Sequence, residues 1–339
     1  MISLLLRDFQ NPRLYNDLTV LFFAKIFFAI VIYTGLIFSG IEYPFNFHDF
    51  ADLYRTCSSI NINIGFTQLV CIADIESVSQ PLPIILSFVL MMVSLTLIYC
   101  TFFSFLNRTG QILLMLMLTF HPYLIISTFR LTTDLFALLA ISITAYYIIR
   151  DIKFNKAFFL IILSLILFRY HLAVIYLPLF IFMAFDNWKK TKQIELVNIF
   201  SILILALGIA SAFSYATMFA GNNKGFDLQT LILNAVYLLG FREMVGINGI
   251  AEFLCCNILW HNIQFIVSLC LICLHVIGLI GVWKIAKVTN FKILLIFIYL
   301  IPCILIIGHL RFLLPLIPLL LGGVAYMIAD KNKLNKYNN

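Results

Sequence analysis

Between Lys156 and Phe185 the chain runs through thirty residues whose one strongly polar interruption is Arg169-Tyr170-His171. A soluble core has no use for an apolar run of that length, whereas a bilayer does, because about twenty apolar residues span its hydrocarbon layer. A central arginine costs roughly 2.5 to 3.5 kcal/mol on insertion scales, so a chain keeps one where it lines a polar cavity or binds something charged. The remaining sequence repeats the pattern: of 339 residues 63% are hydrophobic and 11% charged, with a mean hydropathy of +1.05. This excludes an ordinary soluble enzyme and predicts an all-α, polytopic integral membrane protein forming a single transmembrane domain over residues 1–339. The bilayer is therefore an expected partner. Nucleic acid is not, because no basic arm suited to it occurs.

Apolar runs at 18–38, 82–103, 111–128, 131–149, 194–215, 261–283, 293–307 and 312–329 read as spans, the third of them interrupted at His121-Pro122. Residues 39–81 and 216–260 read as long outer loops. Fifteen of the 22 Lys and Arg fall in the N-terminal stretch, the turn at 107–108, the connectors 150–156, 186–192 and 284–292, and the C-terminal tail. The positive-inside rule puts all six on the cytoplasmic side, giving N-in/C-in topology. Both flanks of 156–185 are then cytoplasmic, so that stretch crosses twice, as two short helices of 13 to 15 residues meeting at Arg169–His171 on the outer side. With this re-entrant-like pair the chain has about ten membrane segments. The first apolar run reads as an uncleaved anchor rather than a signal peptide. The eight cysteines show no zinc spacing: Cys270 and Cys273 read as apolar core residues, and Cys57 and Cys71 share one outer loop in which they could pair.

With this topology the unusual charges lie on one side. They are His48, Asp49, Asp52 and Arg55 with Tyr54 in the first loop, Arg130 with Asp134, Arg169 with His171, Arg242 with Glu243, and His309 with Arg311. Bland readings stand beside a functional one. Arg130 and Asp134 are spaced to share a helix face and neutralise each other. Asp49, Asp52 and Arg55 suit a solvated loop, Tyr54 an interfacial aromatic, Arg242 ordinary surface, and His171 a satisfied core histidine. Arg169 and Arg311 abut long apolar runs with no adjacent acid, and resist such readings. Arginines gathered on the outer side of a lipidic protein suit a phosphate or pyrophosphate on a lipid, through their planar paired donors. A nearby carboxylate or histidine can take a proton from a hydroxyl. The combination predicts transfer of a sugar from a phosphorylated lipid carrier, with arginines stabilising the phosphate leaving group and with neither cofactor nor metal required.

The segment from Tyr43 to Cys57, with Asp52 and Tyr54, resembles the first loop of bacterial oligosaccharide repeat-unit polymerases, the Wzy-type and EpsG-like proteins. So does Phe129-Arg130 to Asp134, followed by an apolar helix, a basic turn and Phe168-Arg169-Tyr170-His171-Leu172-Ala173. The resemblance covers about 120–185 and the first loop. It implies an O-antigen or capsule polymerase of the bacterial inner membrane. Such an enzyme moves a glycan from undecaprenyl pyrophosphate to a lipid-linked repeat unit on the periplasmic face, with a chain-length regulator as partner. By that resemblance Arg130, Arg169, Arg311 and Arg242 bind pyrophosphate. Asp52, Asp134 and His171 are the candidate catalytic groups, supported by Asp49, Tyr54 and Arg55. Two alternatives remain open. A GT-C-type glycosyltransferase using a polyprenyl-phosphate sugar fits His48-Asp49 in the first loop and the run from Arg311 through Phe312 to Pro318. A lipid-linked oligosaccharide flippase would distribute its cations through a lumen.

Overall fold

The computed structural model describes residues 7–38, 64–72, 81–152, 156–169, 172–191, 258–289, 292–300 and 313–328, with isolated positions elsewhere. Among these residues every regular element is a helix. They are α1 (Pro12–Phe38), α2 (Ile64–Ile72), α3 (Pro81–Phe103), α4 (Arg108–Phe120), α5 (Pro122–Ile126), a 3-10 turn (Ser127–Phe129), α6 (Thr133–Ile149), α7 (Lys156–Phe168), α8 (Leu172–Thr191), α9 (Ile258–Val288), a 3-10 helix (Lys292–Tyr299) and α10 (Ile317–Ile328). Among the described residues three helices are long and apolar enough to cross a membrane, and four if α4 and the segment after it, bent by 56°, count as one span. The protein is a multi-pass membrane protein. The expected span at 194–215 and the latter half of that at 293–307 lie largely outside the described residues, as does the loop 216–260.

Several boundaries differ from expectation for local reasons. Pro12 starts α1 six residues before the apolar run, because Asn11 caps it: its Oδ1 accepts from the Arg13 and Leu14 amides at 3.1 and 3.4 Å. Asn107 caps α4 in the same way, accepting from Gly110 N at 2.8 Å. The loop 39–81 contains a helix, α2, whose sequence IGFTQLVCI is apolar enough to pack rather than float. The basic run after Phe185 is helical through Thr191, so the second half of the 156–185 pair is longer than expected.

The helices fall into two compact units. The first comprises residues 1–154, 277–293 and 314–339. In it α3 packs along α6, and α1 packs on α4 and α5. Side-chain contacts fix the helix directions. Asp17, near the start of α1, accepts both Arg108 guanidinium nitrogens, Nη1 at 2.6 Å and Nη2 at 3.0 Å, and the Tyr99 hydroxyl at 2.8 Å. Arg150, just past α6, donates to Asp8 at 2.8 Å and to the Cys100 carbonyl at 3.3 Å. The starts of α1 and α4 and the ends of α3 and α6 therefore share one end of the bundle.

The last part of α9 joins the same arrangement. A Cβ placed on Gly278 would meet Leu320, and one on Gly281 would meet the Gly323 backbone, so α9 and α10 run side by side in parallel at a seam of small residues. Lys292, just beyond α9, reaches Asp151 at 3.6 Å. The end of α10 thus points to the Arg108–Arg150 end as well. The N-terminal stretch, the turn at 107–108, the connector after Ile149, the one after Val288 and the exit to the C-terminal tail all gather at one end of this unit.

The second unit comprises residues 155–276 and 294–313. Within it α7 and α8 fold back on one another. Phe159 and Phe180 stand on either side of the break, 21 residues apart, and a continuous helix would separate them by about 31 Å. Their rings meet edge to face instead, with centroids 4.5 Å apart. The helical hairpin predicted for 156–185 is present.

Candidate functional site

Arg130 lies in a three-residue extended link between the 3-10 turn and α6. Its backbone is at φ −119° and ψ 105°, and Thr132, the N-cap of α6, is at φ −136° and ψ 154°. This corrects the helical i,i+4 reading of Arg130 and Asp134: the helix begins only at Thr133, so the two residues are not stacked on one helical face. The extension has a sequence cause. The β-branched pair Thr132-Thr133 disfavours continued helix, and Asp134 in the first turn complements the positive end of α6, while Thr132 occupies the N-cap without a side-chain capping bond. Arg130 is 8% exposed and Asp134 5%, with Thr128, Thr132 and Thr133 buried around them in sequence. A strip of polar groups is therefore enclosed by protein at the end of the bundle opposite Arg108 and Arg150. The intervening α6, with 17 residues, puts about 25 Å between the two ends.

Two neighbours shape this strip. Ser87 of α3, fully buried, donates its hydroxyl to the Thr128 carbonyl at 3.2 Å and to Ile84 O at 2.9 Å. Phe66 of α2, also fully buried, packs edge to face on Phe136 with centroids 6.3 Å apart. Since Phe136 is two residues from Asp134, the helix inside the loop 39–81 sits over the start of α6. Cys71, at the end of that helix, is disulfide-bonded. Its expected partner Cys57 lies outside the described residues.

Arg169 occupies the turn of the α7–α8 hairpin and is 7% exposed. Its amide donates to Leu165 O at 3.2 Å and Ile166 O at 3.1 Å, and its carbonyl accepts from Leu172 N at 3.1 Å. These bonds end α7 and begin α8 almost at once, so Arg169 is set in a tight, hydrogen-bonded reversal. Lys156 and Lys189 stand toward the opposite, open end of the hairpin. Each unit thus presents a buried arginine at the end away from its basic connectors.

Of the other candidates, Asp49, Asp52, Tyr54, Arg55, His171, Arg242 and Arg311 lie outside the described residues. Among the described residues no three His, Cys, Asp or Glu side chains group to hold a metal ion. Cys270 and Cys273 are free and exposed on α9 rather than in the core, as their apolar surroundings had suggested. The helix instead turns inward Ser268 and His275, both buried. Sequence reading passed over Lys25 and Ser87, which tie the approach to Arg130 to α1 and α3. A lysine inside an apolar run was the available signal for the first, whereas a lone serine in an apolar helix gave none for the second.

Residues 70–224 match the sequence model of the dolichyl-phosphate-mannose-protein mannosyltransferase family. This supports a membrane glycosyltransferase. The matched stretch is a little under half of the chain and contains Arg130, Asp134, Arg169 and His171. It favours the GT-C type of glycosyltransferase over the repeat-unit polymerase in particular. Searches of characterised proteins and of solved structures gave no match.

Proposed function

We propose that the protein is a GT-C-type glycosyltransferase that moves a sugar from a polyprenyl-phosphate carrier to a hydroxyl acceptor. The match of residues 70–224 carries this reading, because it spans the two buried arginines and the carboxylate on which such chemistry depends. Buried guanidinium groups suit a lipid phosphate whose charge grows as the sugar–oxygen bond breaks. Arg130 and Arg169 are assigned to that leaving phosphate, with Arg311 and Arg242 as further ligands. Asp134 is one candidate base for the acceptor hydroxyl, with Asp49, Asp52 and His171 as the others. Charge compensation is assigned to guanidinium groups rather than to a metal ion.

The site is assigned to the outer face of a bacterial inner membrane, with both termini and all basic connectors cytoplasmic and about ten membrane segments. The gathering of basic connectors at one end of the first unit supports this. So does the disulfide-bonded Cys71 on the helix over Asp134, since disulfides persist on the oxidising side.

The polymerase reading is kept as a second one. The helical hairpin with Arg169 at its turn, after a helix led by Arg130, is the arrangement its resemblance rests on. Membranes carrying the protein, given radiolabelled polyprenyl-monophosphate sugar, should release the sugar to an acceptor. Failure to consume that donor, with elongation of glycans on polyprenyl pyrophosphate instead, would favour the polymerase. Consumption of neither would remove both readings.

A further inference from the structure

Lys25 lies in the middle of α1 with none of its surface exposed. Its ammonium donates to the backbone oxygens of Leu118 at 3.0 Å and Thr119 at 3.3 Å. The first of these carbonyls loses its helical donor at the α4–α5 break. In a continuous helix Leu118 O accepts from the amide of residue 122, and Pro122 has no N–H. Thr119 O, one residue nearer the 56° bend, takes the second Lys25 bond. Carbonyls left open in the hydrocarbon layer are costly, and so is an isolated ammonium. Here each offsets the other, and the lysine supplies the donor the proline removed.

The segment beyond the break is held at its far end too, where Ser87 donates to the Thr128 carbonyl at 3.2 Å. The end of α4 just before the break is thus tied to α1, and Thr128 just beyond the break is tied to α3, with Arg130 two residues further on. We propose that Lys25 is a positioning residue: by substituting for the missing Pro122 amide it sets the bend that places Arg130 and Asp134. The inference rests on the assignment of Arg130 to the donor phosphate only for its effect on transfer. Its effect on the position of the segment stands apart from that assignment.

The test uses the full chain in its native membrane, with Thr132→Cys as a reporter, since Thr132 is 6% exposed and lies in the extended link. Alkylation of that cysteine, read by peptide mass, should be slow with Lys25 present. It should quicken roughly fivefold or more in Lys25→Met, as local opening exposes the link, and stay slow in Lys25→Arg, which keeps the donors. Lys25→Gln, with its smaller donor, carries the same test should the methionine variant fail to accumulate. In Lys25→Met with Pro122→Ala, the restored amide should recover the amount of folded protein while alkylation stays fast, because the helix can now straighten. Unchanged alkylation in both Lys25→Met and Lys25→Gln overturns the proposal, and so does slow alkylation in the double variant. If alkylation responds as expected but Arg130→Ala transfers sugar normally, the assignment of Arg130 fails and the positioning role stands.

Discussion

The Phe159 ring meets the Phe180 ring edge to face at 4.5 Å between centroids, with Arg169 in the turn that brings them together. In lipid there is little hydrophobic drive to bring two helices together, so such packing contacts decide whether a hairpin closes. A double-mutant cycle of Phe159→Ala and Phe180→Ala should give a coupling of about 0.5 to 1.5 kcal/mol in unfolding measured in detergent. Additive effects would show that the two arms are not held by this pair.

The same hairpin carries a prediction for the side that the run 186–192 occupies. A reporter fused after Lys192 should give the cytoplasmic signal, as should one fused at the C-terminus. A periplasmic signal after Lys192 would mean a single crossing through 156–185.

At the basic end, Asp17 is buried and satisfies both Arg108 and Tyr99. Asp17→Asn keeps the volume and removes the charge. It should lower unfolding stability by about 1 to 3 kcal/mol, the range for a lost charged hydrogen bond, moderated because the Arg108 side chain is half exposed. Tyr99→Phe should cost less, about 1 kcal/mol. Neither should alter sugar transfer per folded molecule, since the candidate site lies about 25 Å away at the other end of α6.

The glycine seam between α9 and α10 has no room for a side chain. Gly281→Ala should destabilise by about 1 to 3 kcal/mol through overpacking against the Gly323 backbone, and Gly281→Leu should reduce the yield of monodisperse protein on size exclusion. Gly35, which faces open space, should accept alanine without loss.

Much of this was legible in the sequence, and for identifiable reasons. Bilayer spans announce themselves through apolar runs, so α3 and the break at His121-Pro122 followed from hydropathy and proline chemistry, and the two-helix reading of 156–185 from the cations on both its flanks. Three things were not legible. The extended link at Arg130 depends on where α6 starts, and a boundary of one or two residues is not fixed by local propensity. The helix Ile64–Ile72 inside a polar loop is stabilised by burying Phe66 against Phe136, a tertiary contact. Lys25 makes sense only when α1 lies against the carbonyl freed by Pro122. The sequence resemblance pointed to polymerases, whereas the family match points to GT-C-type transferases. Both involve sugars on phosphorylated lipids, and arginine spacing alone does not separate a monophosphate from a pyrophosphate.

The most direct test of the central claim is sugar transfer from a radiolabelled polyprenyl-monophosphate donor by the purified protein in liposomes, with Arg130→Lys and Arg169→Lys beside the wild type. Lysine keeps the charge and loses the paired donors, so each variant should lose about tenfold or more in transfer rate while remaining folded. Wild-type rates in both variants would contradict the assignment of the buried arginines to the donor phosphate.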